Sequence, residues 1–263
     1  MAGVVTANIT SWGALKDTMA TLSKQVAVAM LQETKADEGK REELANELLR
    51  TGWASSWAPA AATAKHGKSA GVALCWRKHL DLAAEPEVVV PHRAIMAPLR
   101  FSTVGTIGFY SLYGVTGSST DGDTGEILRE VLKHIRSKRQ PALIGGDFNT
   151  SWQDVRQWAE QMETGWQVFA PELPTHYGHC AASTIDFFAA SGDAALLLGA
   201  RPTVQLVAPT APHRPVHCSL SLSSGTEHVM VRDGLAPAAS PGARSGVRAP
   251  PRAAAGAMGG LAS

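Results

Sequence analysis

Cysteine is scarce, charge is nearly balanced, and no long apolar run occurs; each shortage removes a class of protein. Cys75, Cys180 and Cys218 are an odd number without a short paired spacing. They supply neither a disulfide framework nor a zinc signature, and read as buried or incidental thiols of a reducing compartment. The 24 Lys and Arg against 23 Asp and Glu leave no overall positive field for a polyanion. From Gly225 onward the chain holds four Arg (Arg232, Arg244, Arg248, Arg252) and two acids (Glu227, Asp233), which leaves 20 basic and 21 acidic residues before it. A nucleic acid would have to be met by a local patch of side chains, not by net charge. No stretch reaches the ~18–20 apolar residues of a membrane span. The opening Met-Ala-Gly-Val-Val-Thr-Ala has neither the basic region nor the apolar core of a signal peptide. An intracellular protein, with the nucleus included and no membrane partner, is the expectation.

What the chain does have is a globule's composition, 44% hydrophobic and 18% charged over 263 residues, enough for one large domain or two small ones. It divides near residue 224. Residues 225–263 are rich in Ala, Pro, Gly and Arg with few side chains able to build a core, so they read as a disordered tail. Within 1–224, strand-like and helix-like segments alternate. Strands are expected at 4–9, 26–32, 53–57, 71–76, 95–101, 107–115, from Pro141 to Asp147, and at 185–189 and 216–222. Helices are expected at 12–23, 40–50, 125–137 and 154–162, the third having Ile127, Leu128, Val131, Leu132 and Ile135 at helical spacing. The four middle strands lack intervening helices and should pair mainly antiparallel. The class that follows is α/β, with mixed sheets covered by helices and two sheets packed together. No internal repeat is present.

The segment Ala142-Leu143-Ile144-Gly145-Gly146-Asp147-Phe148-Asn149 is the most informative. Its apolar start reads as a buried strand. Gly145 and Gly146 read as a sharp turn with no β-carbon in a ligand's way. Asp147 and Asn149, two apart, would point the same way from an extended backbone. A carboxylate and an amide at the carboxyl end of a buried strand is where open α/β proteins place ligand chemistry. Gly, Asp and Asn are also turn formers, so a plain turn explains the segment equally well. The pattern recurs, however. Asn8 ends the first strand, Glu33 follows Ala29-Met30-Leu31-Gln32, Tyr113 closes another strand, Asp186 sits between Ile185 and Phe187, and His213 precedes the last strand. A buried Asp186 needs a partner. A His at a strand entrance could be that partner, oriented and favoured as the cation by the carboxylate. Singly, a solvent-facing Asp and a loop His are the plainer readings.

Taken in order, Asn8, Gln32-Glu33-Thr34, Tyr113, Gly145-Gly146-Asp147-Phe148-Asn149, Ser183-x-Ile185-Asp186 and His213-x-Pro215-Val216 resemble the endonuclease/exonuclease/phosphatase superfamily. Ala70-Gly71-Val72-Ala73-Leu74 and Arg93-Ala94-Ile95 extend the resemblance, which spans about residues 4–222. Leu31-Gln32-Glu33-Thr34-Lys35 and the Gly-Gly-Asp-Phe-Asn run are most similar to abasic-site repair endonucleases and to endonuclease domains of non-LTR retrotransposons. The resemblance implies a four-layer α/β/β/α sandwich, two packed mixed β-sheets flanked by helices, with one site at the strand ends. It implies a phosphodiesterase that uses Mg²⁺ (or Mn²⁺) to cut DNA, with RNA as an alternative substrate, acting as a monomer. Its retrotransposon branch implies a fragment of a larger reverse-transcriptase polyprotein. Also by resemblance, Glu33 with Asn8 holds the metal, and Asp147 orients and deprotonates the attacking water. Asn149 and His213 donate to the phosphoryl oxygens, Asp186 fixes and charges His213, and Tyr113 contacts the phosphate. Ser183 and Arg93 fall on the substrate-binding surface. A hard cation among carboxylate, amide and water oxygens suits Mg²⁺, and preorganised donors suit a transition state that gathers negative charge.

Some positions depart from that pattern. The superfamily usually has an Asp before the final His, where this chain has Ala211-Pro212-His213; Pro212 neither ligates a metal nor donates a backbone hydrogen bond. Repair endonucleases tend to carry an acid two residues after the first Asn, and here Thr10 stands there. The balanced charge and Ala/Pro/Arg-rich tail suit a retroelement-derived reading frame better than a repair enzyme. A catalytically weakened relic of the fold, or a hydrolase of a small phosphorylated sugar or lipid headgroup, are the competing readings. His176 and His179, near Cys180, lack a second ligand pair; a surface loop is the plainer reading, and a substrate-facing loop before Asp186 is the alternative. Trp152 reads as packing more than as a base-stacking platform.

Overall fold

The computed structural model describes residues 1–62, 67–178, 181–206 and 210–222. His179, Cys180 and the expected tail at 225–263 lie outside them. Two sheets form the centre. The first runs, in spatial order, Thr203–Val204, Val216–Leu220, Ala2–Asn8, Val26–Gln32, Val72–Arg77 and Trp53–Ala58. The second runs Trp166–Phe169, Asp186–Ser191, Ala142–Asp147, Gly105–Tyr113, Ala94–Phe101 and Asp81–Leu82, with Glu87–Val90 also paired to Ala94–Phe101. Each sheet contains one parallel pair joined through a helix. Ala2–Asn8 is parallel to Val26–Gln32, and Gly105–Tyr113 to Ala142–Asp147.

Period-two alternation sets the layers. In Val26–Gln32, Val28 and Met30 face the opposite sheet while Ala29 and Leu31 face outward. Between the sheets lie Met30, Leu74, Phe109 and Phe188. Helices Leu15–Thr21 and Glu38–Arg50 cover the outside of the first sheet, with Leu15, Met19, Leu44 and Leu48 against Ala29, Trp53 and Ala73. Helices Asp123–Lys138 and Trp152–Gln161 cover the second, with Leu128, Val131 and Trp158 against Tyr110, Ile144 and Phe187. The result is the expected four-layer α/β/β/α sandwich. Trp152 is partly buried against the outer cluster of the second sheet. Cys75 and Cys218 are buried free thiols.

Several details differ from the sequence reading. Gly145 and Gly146 make no turn; both lie inside strand Ala142–Asp147. A β-carbon on Gly145 would press on Met30 Sδ and come 2.9 Å from Phe188 Cε1, and one on Gly146 would meet the Leu112 carbonyl. Gly145 lets Met30 of the facing sheet approach, and Gly146 lets the neighbouring strand of its own sheet do so. The four middle strands do pair antiparallel, but two by two in different sheets, Trp53–Ala58 with Val72–Arg77 and Ala94–Phe101 with Gly105–Tyr113. The helix expected over 12–23 is a 3₁₀ turn at Trp12–Ala14 followed by Leu15–Thr21. A buried polar chain ties the sheets together just below the strand ends. Thr6 Oγ1 donates to Gln32 Oε1 (3.3 Å), Gln32 Nε2 to Ser111 Oγ (3.0 Å), and Ser111 Oγ to the Leu31 carbonyl (3.0 Å).

Candidate active site

Strand register brings six of the expected residues to one edge. Asn8 pairs with Gln32, so Glu33 emerges beside it. Tyr113 pairs with Asp147, and Asp147 pairs in turn with Asp186 across an antiparallel ladder. Val216 pairs with Thr6, which carries His213 back over the end of the first strand. Carboxyl ends of parallel strands and amino ends of their antiparallel neighbours therefore meet at one place.

Asn8 is at the centre. Its Nδ2 donates to Asp147 Oδ2 (2.9 Å) and Glu33 Oε2 (3.0 Å) and lies 3.4 Å from His213 Nε2, while its Oδ1 accepts from Thr10 N at 2.9 Å. His213 Nδ1 stands 3.1 and 3.2 Å from the two Asp186 oxygens, and Nε2 is 3.8 Å from Asp147 Oδ2. Thr175, wholly buried, accepts at Oγ1 from the backbone N–H groups of Ile185 (3.1 Å) and Asp186 (3.0 Å) and so fixes where Asp186 begins its strand. Asp147, Asp186 and His213 are all buried.

The electrostatics follow from burial and from carboxylates facing one another. Burial, and then the Asp186 charge, push the Asp147 carboxyl up to about 7 against the pull of His213 and Asn8. For His213, burial works against the cation, yet the hydrogen bond and charge of Asp186, with Asp147 and Glu33 behind, outweigh it and raise the imidazole above its ordinary value. Burial also raises the Tyr113 phenol, and Glu33 and Asp147 add to that.

The remaining expected residues take supporting places. Asn149 is not extended: at φ 50° it turns back, its N–H donating to Asp147 Oδ1 (2.9 Å) and its Nδ2 to the Gly114 carbonyl (3.1 Å). Arg93 donates to the same carbonyl at 2.9 Å, and its guanidinium lies 4.9 Å over the Tyr113 ring. Ser183 stands farther out, on a short ribbon formed by His176–Tyr177 and Ala182–Ser183, with Oγ 3.5 Å from His176 Nδ1. That ribbon corrects the surface-loop reading of His176. The residue bridges to His213 in a β-ladder contact, and the two imidazoles are 4.7 Å apart. Burial and the His213 charge lower the His176 imidazole. Sequence reasoning missed Thr175 and singled out His176 without assigning it to the site; only the Thr-His pair shortly before Ser183-Thr184-Ile185-Asp186 hinted at the arrangement. A cavity of about 430 Å³ opens beside His213, lined by Tyr177, Ala211, Pro212 and Arg214.

Three carboxylates, Glu33, Asp147 and Asp186, thus face one imidazole and the Lys35 ammonium, which lies 2.9 Å from Glu33 Oε1. This excess of acceptors suits a hard divalent cation. Ligand atoms of Asp147, Asp186 and His213 come within 4.8 Å of one another. Both Asp186 oxygens, however, face His213 Nδ1 inside the protein. Glu33, whose side chain is partly exposed, is the more accessible carboxylate.

The sequence matches the profile of the Endonuclease/Exonuclease/phosphatase family over residues 6–221. The chain belongs to that family. Among solved members of similar fold is the 3′ phosphatase NExo from Neisseria bound to a product DNA hairpin. It has a TM-score of 0.63 and 17% identity over 84% of this chain and 99% of that one. The catalytic domain of Xenopus laevis APE2 gives 0.65 and 15% identity over 83% and 91%. The endonuclease domain of TRAS1, a telomere-specific non-LTR retrotransposon, gives 0.61 and 18% over 84% and 98%. At these identities the likeness is one of fold. A comparison with curated proteins returns no match.

Proposed function

We propose that this endonuclease/exonuclease/phosphatase-family protein is a metal-dependent phosphodiesterase that nicks DNA, in the manner of a retroelement-type endonuclease. The observation that carries the reading is the Asp186–His213–Asn8–Asp147 constellation, an imidazole held between two buried carboxylates at one strand edge. Glu33, with Asn8 beside it, would hold Mg²⁺ or Mn²⁺, which when bound supplies positive charge to a phosphoryl oxygen. Asp147, anchored by Asn8 Nδ2 and Asn149 N–H, takes the proton of the attacking water. His213, oriented by Asp186, donates from Nε2 to a phosphoryl oxygen as charge accumulates. Asn149 and Tyr113 donate at the same phosphate, and Arg93 keeps Tyr113 in place. Ser183 and the ribbon around it form part of the surface that receives the strand. Neighbours whose names describe a 3′ phosphatase with a DNA hairpin and a retrotransposon endonuclease favour a nucleic-acid substrate.

Supercoiled plasmid incubated with Mg²⁺ is expected to become nicked circles, and Asp147→Ala to slow this by about 10²–10⁴-fold. Identical rates for the two proteins would exclude catalysis at this site. Pro212 supports a second reading, a weakened enzyme on an intact fold. It stands beside His213 where the superfamily usually has Asp, its carbonyl accepting from Tyr177 N–H at 3.1 Å. A gain of nicking in Pro212→Asp would favour that reading.

A further inference from the structure

Glu33 and Lys35 both occupy the left-handed backbone region, at φ 53° and 51°. L-residues with side chains of this size rarely adopt it, and such outliers persist where surrounding structure enforces them. Here the enforcement is visible. Thr34 N–H and Lys35 N–H donate to the carbonyls of Gly71 and Ala70, each at 3.0 Å. Gly71 admits no β-carbon, which would come 2.6 Å from Thr34 Oγ1. The doubled twist turns two side chains, two residues apart, onto each other. Lys35 Nζ lies 2.9 Å from Glu33 Oε1, while Asn8 Nδ2 takes Oε2 at 3.0 Å. Both oxygens of the carboxylate best placed for a metal are already engaged by donors. A divalent ion at Glu33 competes with Lys35 for the same lone pairs and repels its ammonium.

We propose that Lys35 is a resident counter-cation of Glu33 which the metal displaces, and that the released ammonium then takes a phosphate oxygen of the substrate. The inference rests on the metal-dependent reading of the site and adds a coupling to it. The Lys35 side chain is 38% exposed, so it can swing on its flexible stem, and an ammonium is a suitable point charge for phosphate. Metal and DNA would then each tighten the binding of the other by the same factor. The exposed ion pair Lys68–Asp37 lies on neighbouring elements and supplies a control.

Isothermal titration of Mn²⁺ alone into the full chain tests the displacement. Lys35→Met is expected to bind Mn²⁺ about two- to five-fold more tightly than wild type, the range an exposed ion pair allows. Lys35→Arg should lie near wild type, and Lys68→Met should leave the affinity unchanged. In fluorescence anisotropy with single-stranded DNA, Mn²⁺ should strengthen wild-type binding more than that of Lys35→Met, whose salt slope should be shallower by about one. Equal or weaker Mn²⁺ binding by a folded Lys35→Met overturns the displacement. Loss of Mn²⁺ binding in every protein overturns it together with the metal-dependent reading. Tighter Mn²⁺ binding without plasmid nicking supports the displacement and removes only the catalytic reading.

Discussion

Asp147 faces Asp186 across an antiparallel ladder inside the protein, an arrangement that costs stability whenever both are ionised. Its carboxyl sits at about 7 in the folded state against roughly 3.9 in the unfolded chain. The folded state therefore binds the extra proton between those values, and its stability falls as pH rises through that window. His213 works in the same direction. Its folded value is raised, so its contribution is complete below the unfolded 6.5 and is lost as pH climbs past it. With EDTA present, the melting temperature should drop between about pH 4 and 7, and Asp147→Asn should flatten much of that drop in a scanning-calorimetry series. Asp186→Asn should lower the His213 value, read from the imidazole Cε1 proton by NMR titration, and cut nicking by about 10²–10³-fold. The Asp186–His213 pairing was legible in the sequence because a carboxylate among Ile185, Phe187 and Phe188 demands a partner. Thr175 and His176 were not, because their roles arise only when a two-residue ribbon folds back onto residues 182–183 and 213.

Strands buried on both faces write themselves as unbroken apolar runs, which is why Val26–Gln32 and Ala142–Asp147 were legible. Edge strands such as Glu87–Val90 and Trp166–Phe169 are partly exposed and carry no clean period, so they were missed. Sheet membership was hidden for another reason. Whether Val72–Arg77 lies beside Val26–Gln32 or beside Ala94–Phe101 depends on which faces pack, and no local pattern encodes that. Gly145 shows how close the packing is. Gly145→Val would drive methyl groups into Met30 and Phe188, with an expected loss of about 1–3 kcal/mol in urea unfolding. The slope of the unfolding transition should stay near the wild-type value, since the fold is kept.

The whole molecule is nearly balanced in charge, yet Glu33, Asp147 and Asp186 gather at one edge. A cation bound there stabilises the folded state alone. Mg²⁺ at ten times its dissociation constant should add about 1.4 kcal/mol, seen as a rise in melting temperature that EDTA reverses. Glu33→Gln should remove most of the rise, whereas monovalent salt at matched ionic strength should not reproduce it. The same edge gathers distant parts of the chain, since Asn8 meets Asp147 across 139 positions and approaches His213 across 205. A chain still on the ribosome, with residue 213 not yet emerged, lacks the complete arrangement. The long-range closure makes assembly of the edge depend on residues 8, 147 and 213 all being free to pair.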